Sequence, residues 1–210
     1  MRFRDRMDAG QQLAEALEEY RLDDVVVYAL PKGGVVLGYY VAKHLKAPLD
    51  IIITRKISHP QNPDLAVCAI AEDGHGLCDQ DEIAYLNQEW LRDRMEVEQL
   101  EAQRQRQTYL KKYKQVPEIS GKIAILVDDG NAGDTALLLA IEELRHKNPR
   151  QIVAALPVIP EELVTSIWDE VDDLVVLNVP FEFSGVARSY YEEFFPVSDD
   201  DVVSLLQQVP

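Results

Sequence analysis

Apolar and polar positions along the chain fall into short unbroken apolar runs separated by stretches of helical spacing. The runs at 24–30, 49–56, 123–127, 151–156 and 173–178 are rich in Val, Ile and Leu. Runs that short and that apolar suit strands covered on both faces. Between them, 35–45, 135–144 and 161–168 read as helices. Residues 5–20 read as an amphipathic helix burying Met7, Leu13, Ala14 and Leu17, and 198–207 as a capped terminal helix. The alternation predicts an α/β fold, an open, mainly parallel twisted sheet flanked by helices and joined by right-handed crossovers. Length and composition suit a single domain over 1–210. A polar, proline-punctuated loop is expected at 57–64, followed by a hairpin of 65–72 and 76–79 turning near Asp73-Gly74. Residues 81–115 read as one or two inserted helices, with Ile83, Leu86, Trp90, Met95, Val97 and Leu100 near helical spacing. The second half of this insert is mostly Glu, Gln, Arg and Lys, and ends at Val116-Pro117-Glu118. Such a helix stands off as a lid or dimer element, packs through a narrow stripe, or is simply solvated.

The chemistry concentrates where one strand gives way to a helix. After Ile123–Val127 come Asp128 and Asp129, then Gly130-Asn131-Ala132-Gly133, then Asp134 as a helix cap and Thr135 onward as the helix. Ligands bind outside the carboxyl ends of strands in open α/β sheets. Backbone N–H groups of a small-residue loop and a helix N-terminus attract phosphates. Ionised carboxylates accept from sugar hydroxyls or bind a metal. A sugar phosphate satisfies both halves.

A second strand–loop–helix repeats the arrangement at Pro31-Lys32-Gly33-Gly34. Its glycines read either as an ordinary tight turn needing their backbone freedom or, with Lys32 beside exposed N–H groups, as a second anion site. Arg55 and Lys56 end the next strand, and their side chains point to opposite faces, so at most one leans into a given pocket. His59 reads as a solvated loop residue or a proton carrier.

The balance of 21 Lys+Arg against 37 Asp+Glu, a net charge of -16, argues against general nucleic-acid or anionic-membrane binding. No apolar run approaches the ~20 residues of a membrane span, and the cations of 1–6 have no apolar stretch behind them, unlike a secretory signal. Cys68 and Cys78 lack metal or redox spacing and are expected as reduced thiols in a cytoplasmic protein. No Gly-x-Gly-x-x-Gly follows a strand, which weakens a dinucleotide reading.

Val127-Asp128-Asp129-Gly130-Asn131-Ala132 resembles the ribose-phosphate motif of type I phosphoribosyltransferases, and Pro31-Lys32-Gly33-Gly34 resembles their pyrophosphate loop. The family loop often holds a non-proline cis peptide, and one at Lys32–Gly33 or its neighbour here would support a functional site. A bacterial subset of unassigned substrate is similar over nearly the whole chain, sharing much of 3–10, Ala29-Leu30-Pro31-x-Gly33-Gly34-Val35, Ala47-Pro48-Leu49-Asp50, Arg55-Lys56 and Asn62-Pro63-x-Leu65-Ala66. The resemblance implies binding of 5-phosphoribosyl-1-pyrophosphate with substrate-bridged Mg²⁺, and transfer of the phosphoribosyl group to a small-molecule acceptor, by a homodimer. It implies catalytic roles for Asp128, Asp129 and Lys56, and substrate binding by Lys32, Gly33, Gly34, Arg55, Gly130, Asn131, Ala132, Gly133, Asp134 and Thr135. It implies a hood over about 180–210, where Phe181, Phe183, Tyr190 and Tyr191 hold the acceptor base or merely pack the edge, and where Arg188 is a further cation. The chain departs from the motif at Gly133-Asp134-Thr135-Ala136, where Asp134 sets a negative charge at the 5-phosphate position. Either the loop shifts so that Thr135 supplies the hydroxyl, or phosphate binding weakens. The second case favours a protein that keeps the fold but senses a phosphorylated ligand or acts through a partner.

Overall fold

A computed structural model describes residues 2–110, 118–183 and 187–209. Five parallel strands, β1 (Val25–Ala29), β2 (Leu49–Ile51), β6 (Ile123–Val127), β7 (Gln151–Val158) and β8 (Asp173–Asn178), form one sheet in the order β2-β1-β6-β7-β8. A second, antiparallel sheet holds β3 (Thr54–His59), β4 (Asn62–Ala71) and β5 (Gly76–Cys78).

The central strands of the parallel sheet are buried on both faces, and the edge strand β8 is half-buried. Val25, Val27, Ala29, Ile123, Ile125 and Val127 join one core, while Val26, Tyr28, Ala124 and Leu126 join the other. The first core lies under α1 (Arg6–Ala16), α2 (Gly33–Leu45) and α7 (Asp199–Leu206), and the second under α5 (Asp134–His146) and α6 (Glu161–Trp168). From β1 the chain crosses by α2 to β2 on one side; from β6 it crosses by α5 to β7 on the other. Strand order therefore reverses between β1 and β6. The loops leaving those two strands diverge there and open the crevice in which such sheets bind ligands.

Several expectations are corrected. The run 49–56 is two strands in two sheets. Ile51 still pairs with Ala29 of β1, but Thr54 pairs with Ala71 of β4. Ile52 and Ile53, at the crossing, are both buried, so the apolar run shows no break. The expected loop at 57–64 is mostly hairpin, since His59 pairs with Asn62 around Pro60-Gln61 and cross-strand pairing overrides the polar composition. Helix α1 stops at Ala16, followed by a 3₁₀ turn at Glu18–Leu22. Its buried residues are Ala9, Gly10, Leu13 and Ala14, and Met7 is 37% exposed. Small residues face α2 because the helices nearly touch: a Cβ at Gly10 would lie 2.9 Å from Leu37 Cα.

Cys68 and Cys78 are not reduced thiols. They are direct partners across β4 and β5 and form a disulfide. The turn between them, not their spacing in a motif, brings them together.

The inserted segment forms α3 (Gln80–Ile83) and α4 (Gln88–Leu110). Helix α4 packs through a narrow stripe of Leu91, Glu98, Ala102 and Tyr109. Arg106 donates to Ile51 O at 2.7 Å and Tyr109 Oη to Asp199 at 2.7 Å, tying α4 to β2 and α7. The expected end of the insert at Val116-Pro117 lies outside the described residues. Among the described residues, no helix is long and apolar enough to cross a membrane.

Candidate active site

The β6 strand delivers two carboxylates that the following loop immediately wraps. Asp128 is 4% exposed, and its Oδ2 accepts from Gly130 N at 2.8 Å and Ala132 N at 3.0 Å. Gly130 has φ of +88°, and a Cβ there would meet Val158 Cγ1 at 2.9 Å, so both conformation and space demand glycine. Burial, then the neighbouring Asp129 charge, outweigh the donated N–H groups and push the Asp128 pKa up to about 7.

Asp129 is held differently. Its Oδ1 accepts from Asn131 N at 3.2 Å and its Oδ2 from Arg6 Nε at 2.8 Å, while its carbonyl accepts from Tyr191 Oη at 2.8 Å. Burial, with both carboxylates nearby, pushes the Tyr191 pKa up and keeps it a phenol that donates. Arg6 also donates to Phe195 O at 2.6 Å and lies 3.6 Å from the Phe194 ring centroid. Thus α1 and the C-terminal segment close over the acidic pair.

The loop after β1 packs directly against these groups. A Cβ at Gly33 would stand 1.9 Å from Asp129 Oδ2, and one at Gly34 2.9 Å from Val127 O. Neither glycine has positive φ. Gly33 and Gly34 are the first residues of α2 rather than of the expected loop, and the close approach of that first turn to the acidic pair, rather than backbone freedom, accounts for them. The peptide between Pro31 and Lys32, next to Lys32–Gly33, is cis. Lys32 lines the crevice and pairs with Asp199 at 3.0 Å, whose carboxyl the Tyr109 and Lys32 hydrogen bonds hold below its ordinary pKa.

The crevice encloses about 380 Å³, with Arg6, Lys32, Lys56, Thr54, Asp128 and Asp129 among its polar walls, Asn131 and Ala132 from the second loop and Ala136 from the first turn of α5. Strand alternation separates Arg55 from Lys56. Lys56 faces the crevice, and a Cβ at Gly133 would lie 3.1 Å from its Nζ. Arg55 turns toward α4 and pairs with Glu98 at 2.8 Å.

Asp134 does not line the crevice and is not the helix cap. Gly133, with φ of +80°, takes the cap position, and Asp134 is the first helical residue. Its exposed carboxylate accepts from Thr135 N at 2.7 Å and Thr135 Oγ1 at 3.3 Å. The chain's own carboxylate thus engages an N–H at a helix end that suits an anion. Thr135 follows it away from the crevice walls.

The C-terminal aromatics do not form one platform. Phe181 is 89% exposed, Phe183 stacks on Tyr190 with centroids 5.4 Å apart, and Tyr191 is buried against Phe3. Exposed Arg188 does not line the crevice. His59 Nδ1 accepts from Gln61 N at 3.1 Å and shapes the hairpin turn. Sequence reasoning missed Arg6 as a site residue. Its only local signal is membership of 3–10, a stretch with no loop glycine or carboxylate pair to mark it.

Two Mycobacterium tuberculosis proteins provisionally named phosphoribosyl transferases, Rv0571c and MT0597, are each 36% identical over 209 residues. The match covers 98% of this chain and 46% of each relative, so the chain spans about half their length. The crystal structure of TT1426 from Thermus thermophilus is 33% identical, with a TM-score of 0.82 and full coverage of both chains. The phosphoribosyl transferase domain model matches residues 4–187. A fold with its crevice at the β1/β6 reversal, a carboxylate pair and glycine loop closing that crevice, and a domain match over most of the sequence together establish that this chain belongs to the phosphoribosyl transferase domain family.

Proposed function

We propose that the protein transfers the phosphoribosyl group of 5-phosphoribosyl-1-pyrophosphate to a nitrogenous base or another small acceptor, releasing pyrophosphate. The observation that carries this reading is the contact of two loops at the sheet's reversal point, Asp128-Asp129 against Lys32-Gly33-Gly34. The acidic pair would accept the ribose 2- and 3-hydroxyls. The Gly130–Gly133 loop, with Lys56 above it, would hold the 5-phosphate. Lys32 and Arg6 would face the pyrophosphate. As the bond from ribose C1 to pyrophosphate breaks, positive charge grows on the sugar ring, and carboxylates fixed in a dry site favour it.

An adjoining groove of about 350 Å³ shares Arg6 and Val197 with the crevice and is walled by Met7, Val36, Phe195 and Leu205. Its apolar walls support a flat, aromatic acceptor entering there. Asp128, Asp129 and Thr54 give the crevice oxygen donors without thiolate or imidazole, a set that fits Mg²⁺. Asp128 and Asp129 would hold it through water or sugar hydroxyls, because three of their four carboxylate oxygens already accept hydrogen bonds. Bound there, it would neutralise charge on the leaving pyrophosphate. A cytoplasmic homodimer belongs to the same proposal; exposed Val97 and Leu100 on α4 offer a pairing face, and the disulfide is the feature that weighs against a reducing compartment.

Calorimetric titration of 5-phosphoribosyl-1-pyrophosphate with Mg²⁺ tests the reading. Wild type should bind with micromolar affinity, about -8 kcal/mol, and Asp128→Asn/Asp129→Asn should not. The Asp134 carboxylate at the start of α5 favours a second reading, a non-catalytic sensor of a phosphorylated ligand or a protein acting through a partner. Binding by Asp134→Gly but not by wild type would select it.

A further inference from the structure

We propose that His75, Glu143 and His146 form a site for a divalent transition-metal ion of the zinc class, fastening the β4–β5 turn to the end of α5. Glu143 and His146 lie one turn apart on the same helix face, and His146 is the last residue of α5. His75 approaches from the turn before β5. One ligand atom from each of the three lies within 4.8 Å of the others. The two imidazole centroids are 4.9 Å apart with planes inclined at 44°, so the rings converge without stacking.

Glu143 supplies the independent sign of a cation. It is 7% exposed, and its buried Oε1 has no hydrogen-bond partner, although it lies 3.7 Å from His75 Nδ1. A buried carboxylate oxygen without a donor is costly, and a metal ion would satisfy it. Asp73 already orients His75, accepting from its backbone N at 2.9 Å and contacting Nδ1 at 2.8 Å. Carboxylates commonly orient metal-bound histidines in this way by holding the nitrogen that does not ligate, which leaves His75 Nε2 for the ion. Asp73 acts on Glu143 as a neighbouring charge and through a side-chain hydrogen bond, which leaves Oε1 as the unpartnered oxygen, and Lys147 is the other charged group near it.

Two imidazoles and one carboxylate favour zinc-like ions over Mg²⁺ or Ca²⁺. Tetrahedral bonds of ~2.0–2.1 Å place ligand atoms about 3.4 Å apart. The exposed rings of His75 and His146 can rotate to close the remaining distance. The site would be structural. Ala69 and Ala71 of β4 pack on Ala136 and Leu139 of α5, and Ala69 is the cross-strand partner of Lys56. The ion would therefore tether the sheet carrying Lys56 to the helix that follows the glycine loop.

The test uses metal-stripped, non-reduced full-length protein titrated with Zn²⁺ alone, by calorimetry and thermal melting. Wild type should bind one ion per chain and melt several degrees higher. His146→Ala, at an exposed position, should melt like wild type in chelator yet lose at least tenfold in affinity and most of the thermal shift. Glu143→Gln, of the same shape, should do likewise. Absence of binding, equal protection by Mg²⁺, or Zn²⁺ binding unchanged in both variants would overturn the proposal; the last would move the ion to another residue set. If one variant fails to fold in chelator, His75→Ala takes its place with the same criteria.

Discussion

Arg6 and Asp129, 123 residues apart in sequence, meet at 2.8 Å with side chains only 12% and 6% exposed. This pair sets the charge balance of the crevice, since Asp128 beside it has no cation of its own at such distance among the described residues. Removing one member of a buried pair leaves the other uncompensated. Arg6→Ala should lower stability by about 3 kcal/mol or more, measured by urea unfolding at pH 8. Arg6→Lys should restore only part, because an ammonium cannot serve Asp129, Phe195 O and the Phe194 ring together. A loss below about 1 kcal/mol would mean the pair behaves as a solvated one.

The raised Asp128 pKa makes stability depend on pH. Below about pH 4 the carboxyl is protonated in both folded and unfolded chains and contributes no slope. Between about 4 and about 7 the unfolded chain ionises while the folded protein keeps its proton, so stability falls as pH rises. Above about 7 the slope vanishes, and the stability lost across the window is not regained. Asp128→Asn keeps an acceptor for Gly130 and Ala132 but cannot ionise. Its stability relative to wild type should rise across that window in denaturant titrations at successive pH values; a flat difference would contradict the assignment.

Two glycines separate close packing from backbone conformation. A Cβ at Gly33 would collide with Asp129 at 1.9 Å, whereas one at Gly121 meets nothing within 4 Å but sits at φ of +74°. Gly33→Ala should cost on the order of 1–3 kcal/mol by overpacking and abolish phosphoribosyl pyrophosphate binding. Gly121→Ala should cost about 1 kcal/mol through strain alone and leave binding intact. Equal binding by both variants would dissociate Gly33 from the site.

The Cys68–Cys78 bridge closes a loop with a separation of 10 residues. Constraint of the unfolded chain by such a loop is worth about 3 kcal/mol. Cys68→Ala/Cys78→Ala should lose about that amount relative to the oxidised protein, and a reducing agent should lower the melting temperature of wild type but not of the variant. Two titratable thiols in denatured, unreduced protein would show that the bridge does not form.

What local sequence determined is what local physics decides. The apolar run ending in Asp128-Asp129, the turn at Asp73-Gly74 and the Ser198 cap of α7 are patterns within a few residues, and each lies in its expected element, while Gly33-Gly34, expected in the loop after β1, open α2. The fold class followed from their alternation, and the family from the two loop motifs. Tertiary structure alone decided which distant groups meet. It split 49–56 between two sheets because burial continued through the crossing, joined Cys68 to Cys78 across a hairpin, and turned Arg55 to Glu98 while Lys56 faced the crevice. It carried Arg6 to Asp129 and brought His75 against Glu143 and His146. A residue's neighbours along the chain encode its periodicity and turn preferences; its partner across the fold depends on how every intervening crossover winds.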